Sequence, residues 1–137
     1  MQREINLRKV RKAGQELLKG RELYDFLSIK DDHDKARDTA EMVYSAEYKL
    51  RVNVVYKMLL DRATAKARAH KPRYIGSDRL DPNKLTRQAQ MIVRFDHEQT
   101  KARIDERELS QSNSFMEKCT QRRAYIDSFK RAARPAR

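Results

Sequence analysis

From Lys35 to Ala69 the chain runs without a glycine or a proline, and no other feature restricts its fold so much. Helix-forming residues dominate that stretch, which predicts one long helix over 35–69. A straight helix of this length would rise about 50 Å. A compact domain of 137 residues would have a radius of gyration of only about 14 Å. Either the helix bends, or the protein is elongated and neighbouring helices or subunits cover its sides.

Within the stretch, Ala40, Val43, Leu50 and Val54 share one helical face, and Tyr44, Tyr48, Val52, Val55 and Leu59 widen it. A surface this broad exceeds a narrow heptad seam. It suits a coiled-coil-like packing opened into a bundle, where tyrosine rings bury their flat faces and keep their hydroxyls at the rim.

The remaining elements follow from punctuation. Leu7, Val10, Leu17 and Leu18 give a first helix from Glu4 toward Leu18, with Gly20 as its stop. Leu23, Tyr24, Phe26, Leu27 and Ile29 read as a short helical turn or packing lid, and Asp31, Asp32 and Asp34 as a solvated linker leading into the long helix. Pro72 and Gly76 place a basic loop at 71–83, and Asp81 followed by Pro82 supplies an N-cap and first helical residue for a restart. That helix is expected from Asn83 to about Leu109, burying Leu85, Ala89, Ile92, Ala102, Ile104 and Leu109. Ser110 to Asn113 reads as a polar connector, and Ser114 with Glu117 as a capping box that opens a final helix from Phe115 toward Ala133. Phe115, Cys119, Ile126, Phe129 and Ala133 form its apolar face, with a frayed basic tail at 134–137. The expected fold is therefore all-α: a single elongated helical bundle over 1–137 with about four main helices and a short additional helical element.

Charge carries the functional reading. Lysine and arginine number 32 against 20 acids, a formal charge of +12, with three glycines, three prolines and no tryptophan. This balance disfavours a glycine-rich nucleotide-binding enzyme and favours a cationic helical exterior. Residues 1–30 carry +4, 31–70 carry +1, 71–84 carry +2, 85–109 are neutral and 110–137 carry +5. Arg62, Lys66, Arg68, Lys71 and Arg73 form a run without an intervening acid, beside Tyr74, which could stack on an exposed base. Arg122, Arg123, Lys130, Arg131 and Arg134 form a second candidate strip, and Arg8, Lys12 and Lys19 a secondary basic face. Converging cations of this kind attract phosphate through the long-range field and through local arginine forks.

The sequence thus points to backbone binding of RNA or DNA by a small helical subunit of a nucleoprotein complex, joined by a protein partner or a second copy. The principal alternative is a structural protein whose basic surface holds an acidic protein, and a further one is a membrane-surface helix at the amino terminus. No zinc-finger, RRM, KH or basic-zipper signature argues for base-specific readout. Enzymatic function is not expected: Asp96 and His97 are adjacent and point apart, Cys119 lacks an identifiable base, and no phosphate loop or nucleophile elbow is present. No cofactor or metal is expected, since His33, His70 and His97 are dispersed and Cys119 is the single cysteine. No apolar run approaches the roughly 20 residues that a bilayer requires, and no secretory leader is apparent, so a soluble cytoplasmic or nucleoid-associated protein is expected.

Overall fold

The structure, a computed structural model, describes residues 2–69 and 81–133. Among them are three helices and no strand: α1 (Gln2–Leu17), α2 (Arg21–Ala69) and α3 (Pro82–Ala133). The all-α class holds, but three helices replace the four and the short extra element.

Two of the expected boundaries are observed. Gly20 adopts a left-handed φ of 63°, a conformation that costs glycine little and other residues more. It separates α1 from α2, and its carbonyl already accepts the Tyr24 N–H at 3.1 Å. At the start of α3, Asp81 Oδ1 accepts the Asn83 amide at 3.0 Å and the Asp81 carbonyl accepts the Leu85 amide at 3.1 Å, which is N-cap geometry with Pro82 in the first turn.

Two expected boundaries are absent. The Leu23–Ile29 cluster and the acids Asp31, Asp32 and Asp34 are all part of α2. Asp34 pairs with Arg37 at 2.7 Å and with Lys30 at 3.8 Å, while Asp31 and Asp32 are exposed to solvent, so none of these charges needs a helix terminus. Ser110–Asn113 is likewise helical, and Ser114 and Glu117 lie inside α3. Serine and asparagine cost roughly half a kcal/mol each against alanine in a helix, a penalty that packing can offset. Here Ser112 is buried, Gln111 Oε1 lies 2.8 Å from His33 Nε2, and the Phe115 ring sits 6.4 Å from Phe26.

The chain forms two compact units, the first from the chain up to Arg37 with the chain from Ala102 onward, the second from Asp38–Lys101. In the first, Leu18, Phe26 and Cys119 form the core, flanked by Val10, Leu23, Phe115 and Met116. Gly14 in α1 sits directly on the Phe26 ring, where any added Cβ would collide with the aromatic carbons. Cys119 is therefore the small core residue that its apolar neighbours suggested.

In the second unit, Val52, Ala89 and Val93 are the core, with Tyr44, Tyr48, Val55, Tyr56 and Leu59 packed against it. The tyrosine-rich flank of α2 is thus its buried side. Val43, Leu50 and Val54, expected in the interior, are exposed, as is Ile92 of α3. On α3 the buried positions Leu85, Ala89, Val93 and His97 recur every four residues. Such a row drifts about 40° per step around a helix, which takes Ile92 off the packed side.

Candidate nucleic-acid interface

In the first unit, two buried acids, Asp105 and Glu108, hold interior ion pairs. Asp105 binds Arg3 at 2.8 Å and Arg37 at 2.7 Å, and Glu108 binds Arg11 at 2.7 Å and Arg37 at 3.3 Å. Glu108 is only 1% exposed. Arg11 also reaches Asp34 at 3.5 Å. Burial pulls the Arg37 guanidinium down, but its hydrogen bond and charge contacts with Asp105 and Glu108 outweigh that, and its net shift is upward. Three buried atoms in this cluster, Arg11 Nε, Arg37 Nη2 and Glu108 Oε2, lack a hydrogen-bond partner. These arginines tie α1, α2 and α3 together and are unavailable to an external polyanion. The signal in the sequence was a carboxylate pair three residues apart, Asp105 and Glu108, at helical spacing from Ser112 and Cys119 on the same buried stripe.

The nominated cations form a different population. Arg8 and Lys12 are exposed on α1, and Lys19 is exposed in the following turn. On the last turns of α3, Arg122, Lys130 and Arg131 are exposed, along a segment in which every residue from 121 to 133 is exposed. None of these six forms an ion pair among the described residues. Arg123 differs: its Nη2 donates to the Leu17 carbonyl at 3.1 Å and lies 3.3 Å from Glu22 Oε2. It caps the end of α1 and is the one nominated cation with a structural partner among the described residues. Glu22 also faces Cys119. Burial first, and then the hydrogen bond and charge of Glu22, push that thiol above its ordinary value, which keeps it protonated and unreactive.

In the second unit, Arg62 and Lys66 are exposed one helical turn apart on α2, with Arg68 exposed just beyond them. Side chains at this spacing have Cβ atoms about 5–6 Å apart. Arg62 and Lys66 line a cleft of about 330 Å³ with Leu59, Ala63, Lys84, Leu85 and Gln88. Lys84 is the cleft residue that sequence reasoning left out. The Asp81–Pro82 restart could have located it, because it puts Lys84 in the first turn of the returning helix. Neither Arg62, Lys66 nor Arg68 forms an ion pair among the described residues. Lys66 and Arg68 also lie in the last turn of α2, where cations complement the carbonyl end of the helix dipole. Lys71, Arg73, Tyr74 and Arg134 lie outside the described residues.

Among the described residues, His33 and His97 are engaged elsewhere. His97 is buried, stacks on Tyr44 with ring centroids 3.9 Å apart, and places Nε2 3.0 Å from Glu41 Oε1. Lys101 Nζ lies 3.3 Å from the same oxygen. The His97 hydrogen bond, then that of Lys101, holds the Glu41 carboxyl below its ordinary value of 4.5. Among the described residues no helix is long and apolar enough to cross a membrane.

Chemically, the cleft offers guanidinium and ammonium donors beside aliphatic carbon. It can hold a phosphate oxygen and the apolar edge of a neighbouring sugar or base. Compared with protein-family models, with characterised proteins and with solved structures, the chain matches none.

Proposed function

We propose that this chain binds the phosphate backbone of RNA or DNA as a small helical subunit of a nucleoprotein assembly. The observation that carries the reading is the cleft in the second unit, where Arg62 and Lys66, without ion pairs among the described residues, stand beside Lys84. The net charge of +12 supplies the long-range attraction, and the cleft supplies local donors. Exposed Arg122, Lys130 and Arg131 extend the cationic surface of the first unit.

The test is a salt-dependent titration of the full chain with RNA, single-stranded DNA and duplex DNA. Phosphate-dominated binding weakens steeply with salt, and the combined Arg62→Glu and Lys66→Glu variant lowers the slope of log K against log salt by about 2. Absence of binding to all three polymers at low salt overturns the reading.

A second reading rests on the outer turns of α3, where Tyr125, Ile126 and Phe129 are exposed beside Arg122, Lys130 and Arg131. Apolar and cationic side chains mixed on one helix also suit an acidic protein partner. Under that reading, reversal of the α3 cations removes capture of the partner and leaves polymer binding intact.

A further inference from the structure

We infer that the second unit pairs with the same unit of a second copy of this chain through an apolar groove on the side of the helix pair away from the tyrosines. The groove has a volume of about 400 Å³ and is lined by Leu50, Arg51, Val54 and Val55 of α2 and Ile92, Val93 and Asp96 of α3. Its walls continue into exposed apolar residues that the unit's core does not use. Leu50 and Phe95 are each 65% exposed, and Val43, Val54, Met58 and Ile92 are also exposed. Val43, Leu50, Val54 and Met58 recur at intervals of seven and four residues, which keeps them on one strip of α2.

Charge selects the occupant. The strip of α2 that carries these residues bears Glu47, Arg51, Lys57 and Asp61, so it is neutral in a strongly cationic chain. Asp96, on the opposite wall, has no ion pair among the described residues. A polyanion or an anionic lipid surface gains nothing at a neutral groove with a carboxylate on its wall. A second copy supplies the complement. Arg51 sends Nε and Nη2 to Glu47 Oε2 at 3.0 and 2.8 Å, and its Nη1 makes no hydrogen bond or ion pair among the described residues.

A two-fold axis parallel to the helix pair lays α2 of each copy against α3 of the other at the same level. Arg51 then faces Asp96 across the interface twice, once from each copy, and the four helices alternate in direction as in an antiparallel bundle. The apolar strip from Val43 to Asp61 is about 27 Å long and two helices wide, about 20 Å, a footprint of about 500 Å². Standard interfaces bury about 800 Å² per partner, so the pairing is concentration-dependent.

The test is sedimentation equilibrium of the full, nucleic-acid-free chain across a wide concentration range, with circular dichroism as the check on helicity. The wild type passes from monomer to dimer mass as concentration rises. Leu50→Glu and Ile92→Glu, both at exposed positions, each weaken association at least tenfold. Arg51→Asp and Asp96→Arg each weaken it alone, and the two together restore it. A wild type that remains monomeric at every concentration overturns the proposal. So does a dimer that survives Leu50→Glu and Ile92→Glu, or a double charge swap that fails to recover association.

Discussion

Glu108 and Glu47 show how differently one residue type behaves in two settings. Glu108 is buried between two arginines, whereas Glu47 holds Arg51 at the surface. Removing one member of a buried pair strands the other charge in a poorly solvated place, so Glu108→Leu is expected to cost about 3 kcal/mol in urea denaturation. Glu47→Ala is expected to cost less than about 0.5 kcal/mol, the usual worth of an exposed helical pair. At Gly14 the reason is steric. Gly14→Ala pushes a methyl group into the Phe26 ring and should lower stability by about 1–3 kcal/mol. Glu41 gives a pH signature. Its carboxyl titrates lower in the folded state than its ordinary value of 4.5. Its stabilising contribution is therefore complete above that value and lost as pH falls through the depressed one. Melting curves of the wild type and Glu41→Gln should differ at neutral pH and converge in acid. A gap that persists at low pH would show that proton linkage at Glu41 is not its source.

At the scale of the element, breaker residues were the readable signal and polar clusters were not. Gly20 and the Asp81–Pro82 pair act on the backbone itself, through a positive φ and a satisfied terminal amide, so their effect does not depend on what packs nearby. Ser110–Asn113 and the Ser114–Glu117 spacing carry only a modest propensity, and contacts distant in sequence, such as His33 with Gln111, reverse it. Ser114→Ala distinguishes the two descriptions. As an N-cap it would cost about 1 kcal/mol, but as an exposed position within α3 it should change stability by less than about 0.5 kcal/mol. The apolar pattern of α2 was misread for a related reason. Both Val43–Leu50–Val54 and Tyr44–Tyr48–Val52 make coherent helical stripes, and only the returning helix decides which one is covered.

For the molecule as a whole, the helical class was legible because it follows from composition and from the scarcity of chain breakers. The candidate cleft was half legible: Arg62 and Lys66 announce themselves as a basic pair, while Lys84 joins them only once α3 returns. The interior arginines were invisible as such, since nothing in a lysine and arginine count separates Arg3, Arg11 and Arg37 from cations that face solvent. That separation sharpens the salt experiment. Neutralising Arg8 and Lys12 should lower polymer affinity without altering the melting temperature, whereas Arg11→Gln should lower the melting temperature whatever its effect on affinity.

The outer turns of α3 have a practical corollary. Beyond Thr120 the helix is supported mainly by its own hydrogen bonds, and an unsupported helical end unwinds readily. Within α3, trypsin should therefore cut at Lys130 and Arg131 before it cuts closer to the packed turns. Trimming of α3 should slow near Arg123, where the guanidinium is clasped by the Leu17 carbonyl and Glu22, so the carboxyl terminus of the product marks the point at which packing takes over from local helix formation.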